Sequence, residues 1–372
     1  MVKVIVTGDL CPINRISDLV NSNNIKEVYN DFATVLDNSD INITNLECPL
    51  YNGIDTIKKS GPNLSVDESF VKLLNEGKFN LVTLANNHIM DSGSKGLFST
   101  MQICENSEIS FVGAGSNLED ARKPYIKVIN GLKIGILNFT ENEFSTTNDE
   151  NPGANPLNPI SNYYDIKKTK KEVDFLMIII HGGHEYYELP SPRMQETYRF
   201  FIDAGADAVV GHHTHCCSGY EIYNNKPIFY SLGNFLFDWP NKRNSVWNFG
   251  FALELNIEKN NFEFKLHPYE QNNEIAGIHL LNQIQLEKFE IKIKELNTII
   301  GDKLLLNNYY NKFINDSKKD YLCMLQPYSS KILKALYHKN LLPSIYSKDK
   351  KRLLLNLIRC EAHRDRLIGI LK

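Results

Sequence analysis

The chain has 372 residues, of which 42% are apolar and 23% charged, enough to bury the core of a large domain with a smaller appendage. No apolar run approaches the roughly 18 residues that a membrane-spanning helix needs, and the N-terminus leads straight into an alternating strand rather than a signal sequence. Seven scattered cysteines include no Cys-x-x-Cys pair. We therefore expect reduced thiols, no transmembrane segment and a cytoplasmic location, with the cytoplasmic membrane face as an alternative.

Charge is unevenly distributed, although the formal net charge is only −3. Residues 281–372 contain 18 Lys and Arg against 9 Asp and Glu, whereas residues 1–280 contain 23 against 35. An acidic body suits cation binding, and a basic region suits an anionic partner, although a solvated lysine-rich surface is the simpler interpretation. We predict one domain over residues 1–280 and a basic helical region over 281–372 that contacts a polyanion or a membrane surface peripherally, with no nucleic acid as partner.

Short apolar strands alternate with helices through the first domain. The predicted strands cover residues 2–7, 41–44, 79–85, 133–139, 175–180, 208–210 and 226–232. One helix places Leu97, Met101 and Cys104 on a single face, and another begins at Pro192 and ends at Gly205. This alternation is typical of a layered α/β fold with helices on both sides of a sheet.

The two remaining parts of the chain have a different character. The segment over residues 148–162 is rich in Asn and Pro, and we expect it to be an irregular loop. Beyond residue 280, apolar residues at helical spacing start at Phe289, and two further helices are predicted over residues 332–336 and 353–358. We find no catalytic motif in that C-terminal region.

Polar clusters stand at the ends of these strands. They are Gly8-Asp9, Asn45-Leu46-Glu47, Asn86-Asn87-His88, His181-Gly182-Gly183-His184-Glu185, Gly211-His212-His213-Thr214-His215 and Ser231-Leu232-Gly233-Asn234. In α/β folds, function gathers on the loops at one edge of the sheet. Each cluster alone has a simpler explanation, such as a helix cap, a turn or a buried core histidine. Together, the carboxylates, amide and imidazoles favour a site for two divalent metal ions.

Candidate roles follow from residue chemistry. The candidate metal ligands are Asp9, Glu47, Asn87, His181, His213 and His215. His213 and His215 are two residues apart, so an extended or tightly turned segment points both imidazoles the same way. His88 follows a ligand and suits a general acid that protonates a leaving oxygen. The candidate substrate-binding residues are Arg15, His184, Glu185 and Asn234. Mixed oxygen and nitrogen ligation is compatible with Mn, Fe or Zn.

A series of motifs over about residues 1–255 carries a family resemblance. They are Gly8-Asp9 with Arg15, Asn45-Leu46-Glu47, Ala85-Asn86-Asn87-His88 with Asp91 and Gly93, Gly113-Ala114-Gly115 with Asn117, Ala121, Arg122 and Pro124, His181 to Tyr186, Gly205 to His215, and Tyr230 to Phe235. The series resembles the CapA family, the bacterial poly-γ-glutamate capsule biosynthesis proteins within the calcineurin-like metallophosphoesterase superfamily.

The resemblance implies a β-sandwich of two mixed sheets flanked by helices. It also implies one metal held by Asp9, Glu47 and His215, and a second held by Glu47, Asn87, His181 and His213, with Glu47 bridging. The chain departs from the related patterns at three positions. Cys11 stands where calcineurin-like enzymes usually have a histidine, and Glu47 replaces their bridging aspartate. Gly182 replaces a common bulky aromatic, which would open the site.

The function implied is a metal-dependent hydrolase of ester bonds, phosphoesters first, that uses water activated by two metals and His88 as the acid. Its substrate would be an anionic small molecule or polymer in capsular or cell-envelope polymer biosynthesis. One alternative is a non-catalytic, polyanion-binding accessory protein of poly-γ-glutamate synthesis. Another is cleavage of an amide or glycosidic bond.

Overall fold

The computed structural model describes residues 1–259, 261–328 and 330–371. In these residues the strands are β1 Val2–Cys11, β2 Ile41–Leu46, β3 Leu81–Thr83, β4 Ser110–Val112, β5 Ala114–Gly115, β6 Tyr125–Ile129, β7 Leu132–Thr140, β8 Gly153–Ala154, β9 Phe175–His181, β10 Ala208–His212, β11 Tyr220–Tyr223, β12 Lys226–Phe229, β13 Asn234–Phe237, β14 Phe249–Ile257, β15 Phe262–Gln271 and β16 Ile278–Leu280.

The α-helices lie between and after these strands. They are α1 Arg15–Asn21, α2 Lys26–Tyr29, α3 Ala33–Asp37, α4 Val71–Glu76, α5 Gly93–Asn106, α6 Leu118–Ala121, α7 Pro159–Lys170, α8 Pro192–Ala204, α9 Gln283–Gly301, α10 Lys303–Met324, α11 Lys331–His338, α12 Lys348–Arg359 and α13 Glu361–Leu371. The helix predicted from Pro192 is confirmed as α8, and Gly205 ends it with a φ of 123° that favours glycine.

The first sheet is mixed, with the order β16-β15-β14-β1-β2-β3-β4 in the described residues. Strands β1 to β4 run parallel, β14 pairs antiparallel with β1, and β15 and β16 continue the antiparallel half. Strand β13 also pairs with the end of β1, in parallel. The end of β1 therefore lies between two neighbours, β2 and β13, both of which contribute polar side chains.

The second sheet has the order β11-β12-β10-β9-β7-β6 in the described part of the chain. Its central strands β7, β9, β10 and β12 are parallel, and β6 and β11 form antiparallel edges. All seven residues of β9 are buried, because a parallel strand covered on both faces takes a continuous apolar run.

Two apolar cores place the sheets and helices in layers. One core joins both sheets and the helix α8, with Val6 of β1, Phe251 of β14, Ile178 of β9 and Phe201 of α8. The other lies on the opposite face of the first sheet, where Ile5 packs with residues of α3, α4 and α5. The arrangement of two mixed sheets flanked by helices, with a C-terminal helical region, is confirmed. The strand and helix alternation alone predicted a single sheet, and in that respect it was wrong.

A close approach of two backbones sets the position of Asp9. A Cβ on Gly8 would lie 1.9 Å from the carbonyl oxygen of Gly233, so only glycine fits there. The amide of Asp9 donates to the same carbonyl at 3.1 Å, and the register between β1 and β2 shifts between Val6 and Asp9. This irregularity ends the regular ladder and brings Asp9 opposite Asn45 and Asn234.

The chain divides into two compact units, Met1–Asn307 and Asn308–Lys372. The first unit continues beyond the boundary that we expected after residue 280, because Ile293, Leu296 and Ile300 of α9 are buried in its core. None of the helices in the described ranges is both long and apolar enough to cross a membrane.

The expectation of an irregular loop over residues 148–162 was partly wrong. Strand β8 lies inside this segment and pairs with β5, and α7 begins in it. Asn158 caps α7 by accepting from the amides of Ile160 and Ser161, and Pro159 occupies its first turn.

Candidate metal centre

The ends of parallel strands from both sheets bring the predicted ligands together. Asp9 lies at the end of β1, Glu47 follows β2, His181 ends β9 and His213 follows β10. The two sheets meet here, because the amide of His213 donates to Asp9 Oδ2 at 3.0 Å. Asp9 Oδ1 accepts a second hydrogen bond, at 2.7 Å, from the amide group of Asn45.

Glu47 lies at the middle of the cluster. Its Oε1 is 3.5 Å from Nε2 of His181 and 3.8 Å from Nε2 of His215. The side chain is wholly buried, yet neither carboxylate oxygen has a hydrogen-bond partner. A buried carboxylate without a donor is costly, and a cation is one partner that would offset that cost.

Two groups of donor atoms share Glu47. One joins Glu47 to His181 and His213, and the other joins it to Asp9 and His215, with the donor atoms of each group within 4.8 Å of one another. The family resemblance implied the second combination as it stands, and the first with Asn87 added.

Asn87 completes the first group. Its Oδ1 lies 3.0 Å from Nε2 of His181, and Nδ1 of His213 also lies 3.0 Å from that nitrogen. Three donor atoms thus converge on one side of Glu47, as expected of ligands around a common ion.

The turn after β10 aims both imidazoles at the cluster. His213 has a φ of 91° and His215 a φ of 55°. Positive φ values are unfavourable for any residue that has a Cβ. The amide of Tyr186 holds the turn by donating to the carbonyl of Thr214 at 2.8 Å. Strained backbone of this kind concentrates at functional sites.

The electrostatics favour a bound cation. Burial, and then the charge of Asp9, holds the pKa of Glu47 well above its usual range, and burial also raises the pKa of Asp9. Burial lowers the pKa of His181 and brings that of His215 to about 3, so both imidazoles are neutral. Neutral imidazoles and closely spaced carboxylates are the donors that divalent metals require, and the residues therefore fit the metal ions implied.

Asn234 orients His215, one of the candidate ligands. Its Oδ1 lies 2.9 Å from Nδ1 of His215, and its amide donates to the carbonyls of His215 and Trp247, both at 3.2 Å. We expected Asn234 to bind substrate, but its side chain is buried and has three protein partners. It leaves Nε2 of His215 directed at Glu47, which is how a neighbouring residue tunes a metal ligand.

Glu143 plays a similar part on the other side, and the sequence patterns missed it. The amide of Asn87 donates to Glu143 Oε2 at 2.8 Å, which leaves Oδ1 of Asn87 facing His181. Glu143 is itself exposed, in the segment after β7.

Replacing Glu143 with alanine should weaken manganese binding by about tenfold to a hundredfold without affecting the fold, because the Asn87 amide group loses the carboxylate that it donates to. Isothermal titration of manganese into the metal-stripped chain measures this. Glu143→Gln is the matched control, since its amide oxygen can still accept from Asn87. Equal affinities for the alanine variant and the wild type would remove Glu143 from this role.

His88 lies next to a buried ion pair. Its Nδ1 is 2.6 Å from Asp91 Oδ2 and 3.1 Å from Nζ of Lys59, and Lys59 also pairs with the other oxygen of Asp91. The side chains of Lys59 and Asp91 are almost fully buried. Asp91 also accepts from the amide of Leu64, so it ties the segment that carries Lys59 to the site. Lys59 lies in a polar stretch without a strand-end motif, and no sequence signal identified it.

The other predicted substrate-binding residues have different surroundings. The guanidinium of Arg15 pairs with the buried Asp238 at 2.8 Å and donates to the carbonyls of Asn272 and Asn273. Its guanidinium is already engaged in joining these loops. His184 is half-buried, and burial lowers its pKa, whereas Glu185 is exposed and near enough to raise the pKa of Glu47.

Aromatic side chains line the side of the site next to His215. The ring of Trp247 is 4.6 Å from the His215 ring, and the half-exposed Tyr186 stacks on Trp247 at 6.0 Å. Nζ of Lys242 lies 3.8 Å from the centre of the Tyr186 ring, which places a cation beside these aromatic side chains.

Two departures from the related patterns now have a structural setting. Cys11 is a buried free thiol beside Cys48; burial, and then the hydrogen bond with Cys48, raises its pKa well above its usual value. The space beside Gly182 is filled, since a Cβ there would lie 2.6 Å from Cγ of Glu141. All seven cysteines are free thiols in the structure.

Comparison with known proteins places the chain in a family. The model of the bacterial capsule synthesis protein family PGA_cap matches residues 3–239. The capsule biosynthesis protein CapA of Bacillus anthracis is 33% identical over 252 residues, covering 65% of this chain and 61% of that protein. The PGA biosynthesis protein CapA of Bacillus subtilis is 34% identical over 263 residues, covering 69% of this chain and 65% of that protein.

A more distant relative is a probable polyglutamine synthesis accessory protein of Mycobacterium tuberculosis, 28% identical over 169 residues, or 42% of this chain and 44% of that protein. The chain spans less than two thirds of the length of either CapA relative. The matched residues contain every candidate ligand of the metal centre. The chain belongs to the CapA family of bacterial capsule synthesis proteins.

Proposed function

We propose that this chain is a metal-dependent hydrolase of ester bonds, with phosphoesters as the first substrate class, acting in the synthesis of a capsular or cell-envelope polymer. The observation that carries the proposal is the buried Glu47 carboxylate, which has no hydrogen-bond partner and belongs to two groups of potential metal-binding side chains. Family membership supports the polymer context, because the relatives are named for capsule and PGA biosynthesis.

The proposed metal ligands form two sets that share Glu47. Asp9, Glu47 and His215 would hold one divalent ion, and Glu47, Asn87, His181 and His213 the other. Mn, Fe and Zn all suit these donors. When bound, two such ions supply Lewis acidity and an activated water for attack on a phosphoester.

The side chains of the chain itself supply the rest of the mechanism. Asp91 holds Nδ1 of His88, so the other ring nitrogen is left to give a proton to the leaving oxygen. The ion pair with Lys59 keeps the Asp91 carboxylate in place behind His88. On the opposite side, Trp247 and Tyr186 cover His215 and limit the access of water to it. His184 and Glu185 remain our candidates for contacts with the substrate.

A second candidate function is accessory binding of a polyanion without turnover. The relative from M. tuberculosis is named a probable polyglutamine synthesis accessory protein, and this favours such a role. The basic C-terminal region supplies charge of the sign that a polyanion needs.

Metal analysis of the purified chain, combined with three chromogenic assays, separates these functions. The substrates are a phosphodiester, a phosphomonoester and a γ-glutamyl anilide, each with and without added manganese. Two ions per chain and manganese-dependent phosphoester hydrolysis are the expected result. Bound metal with no turnover, together with retention of poly-γ-glutamate, would favour the accessory role. Hydrolysis of the anilide alone would make the chain an amidase, and a chain that binds no divalent metal would contradict the site itself.

A further inference from the structure

The C-terminal unit combines positive charge with exposed apolar side chains. Between residues 331 and 371 there are ten Lys and Arg against three Asp and Glu. In the same stretch, large apolar side chains remain 47% to 82% exposed, among them Ile332, Leu353, Leu355, Ile358, Ile370 and Leu371. Exposed apolar residues on this scale mark an interaction surface.

This exposure occurs in a unit that has its own ordered contacts. Tyr337 is buried, and its ring lies 5.7 Å from the ring of Tyr328. The hydroxyl of Tyr346 donates to the carbonyl of Leu325 at 2.7 Å. The unit therefore packs part of its side chains internally, while the apolar residues named above stay exposed.

Helices α12 and α13 repeat one arrangement, an exposed cation followed four and seven residues later by exposed apolar side chains. The residues are Lys351, Leu355 and Ile358 in α12, and Arg364, Ile368 and Leu371 in α13. Positions four and seven residues apart return to the same face of a helix. Each helix thus presents isoleucine and leucine side chains directly beside a basic group.

We propose that this unit docks on the surface of an anionic lipid bilayer, with α12 and α13 lying in the interface. Helices that bind in this way place leucine and isoleucine among the lipid chains and lysine and arginine among the headgroups. Lysine and arginine stems extend along the apolar face and carry their charges to the phosphate level. Negatively charged headgroups attract the excess of cations.

Two other occupants explain less of the surface. A soluble polyanion would satisfy the cations and leave the apolar side chains in water. A second copy of the chain would cover the apolar side chains but would bring like charges together, which is unfavourable. An anionic bilayer accounts for both properties at once.

Co-sedimentation of the full chain with vesicles tests the proposal. We expect binding to vesicles of phosphatidylglycerol and phosphatidylcholine, little binding to phosphatidylcholine alone, and weaker binding as salt rises. The paired change Leu355→Ser with Ile358→Ser, and separately Lys351→Glu with Arg364→Glu, should each lower the partition constant by about tenfold or more. These positions are exposed, so circular dichroism should show unchanged helix content.

The matched control is Ile54→Ser with Ile160→Ser, since both are exposed isoleucines of the first unit. It should bind vesicles as the wild type does. The proposal fails if the wild type does not sediment with anionic vesicles. It also fails if Leu355→Ser with Ile358→Ser leaves binding unchanged and only the lysine and arginine changes weaken it, which is the result expected for a soluble polyanion. It also fails if the chain forms a stable dimer that stays in the supernatant when the vesicles sediment. The assay measures no turnover, so its result is independent of the hydrolase proposal.

Discussion

Glu47→Gln should abolish tight binding of divalent metal in both ligand groups and at the same time raise the stability of the metal-free chain. Glutamine has nearly the same shape but no charge, and both groups share this one carboxylate. Without metal, the wild-type carboxylate is buried with no donor, so its removal should add about 1 kcal/mol or more to the free energy of unfolding. Turnover should fall with the metal, by about a thousandfold or more.

Elemental analysis gives the metal content, and thermal unfolding in chelator and in manganese gives the two stabilities. The wild type should gain stability from manganese, and the variant should gain none. Glu196→Gln, at an exposed position of α8, is the control and should match the wild type in both measurements. A Glu47→Gln chain that still carries two ions would refute the shared-ligand assignment.

His88→Asn should have a different effect, with the metal retained and the chemistry slowed. Loss of a general acid costs about 10²- to 10⁴-fold in turnover, and the loss should be largest for substrates whose leaving group is a poor one. A nitrophenolate leaves without a proton, so its ester should be hydrolysed by the variant at nearly the wild-type rate. Assays of alkyl and nitrophenyl phosphodiesters on the same preparation measure the difference.

His338→Asn is the control for this experiment, because His338 lies in α11, outside the residues that match the family. It should leave turnover unchanged for both substrates. If His88→Asn slows the alkyl and nitrophenyl esters equally, His88 is not the acid, and a positioning role would replace it.

Most of the residues of the candidate metal centre were predictable because they lie at the ends of strands. The apolar run of β9, for example, leads directly to His181, and strand ends deliver side chains to one edge. Lys59 and Glu143 were not predictable in this way. They reach the site from irregular segments, 29 and 56 residues from the partners His88 and Asn87, and no local pattern records such a contact.

The division of the strands into two sheets was also beyond local patterns. The run over β9 is buried on both faces, and such a run reads the same in either sheet. Strands β14 to β16 were not predicted. Their pairing is antiparallel, and they carry no polar cluster that would have drawn attention to them. The β-sandwich was predicted from the family resemblance alone. A family fold includes the long-range strand pairing, which the spacing of residues along the sequence does not reveal.

A single carboxylate shared by both ligand groups has a consequence for how the centre would load. Asp9 and Glu47 together carry two negative charges when both are ionised, enough to neutralise one divalent ion. The first ion would remove the repulsion between the carboxylates, and the second would enter a centre that is already neutral. Loading would therefore be anticooperative, and a form with one ion per chain would persist over a wide range of metal concentration. The availability of metal in the cell would then set the fraction of molecules that carry two ions.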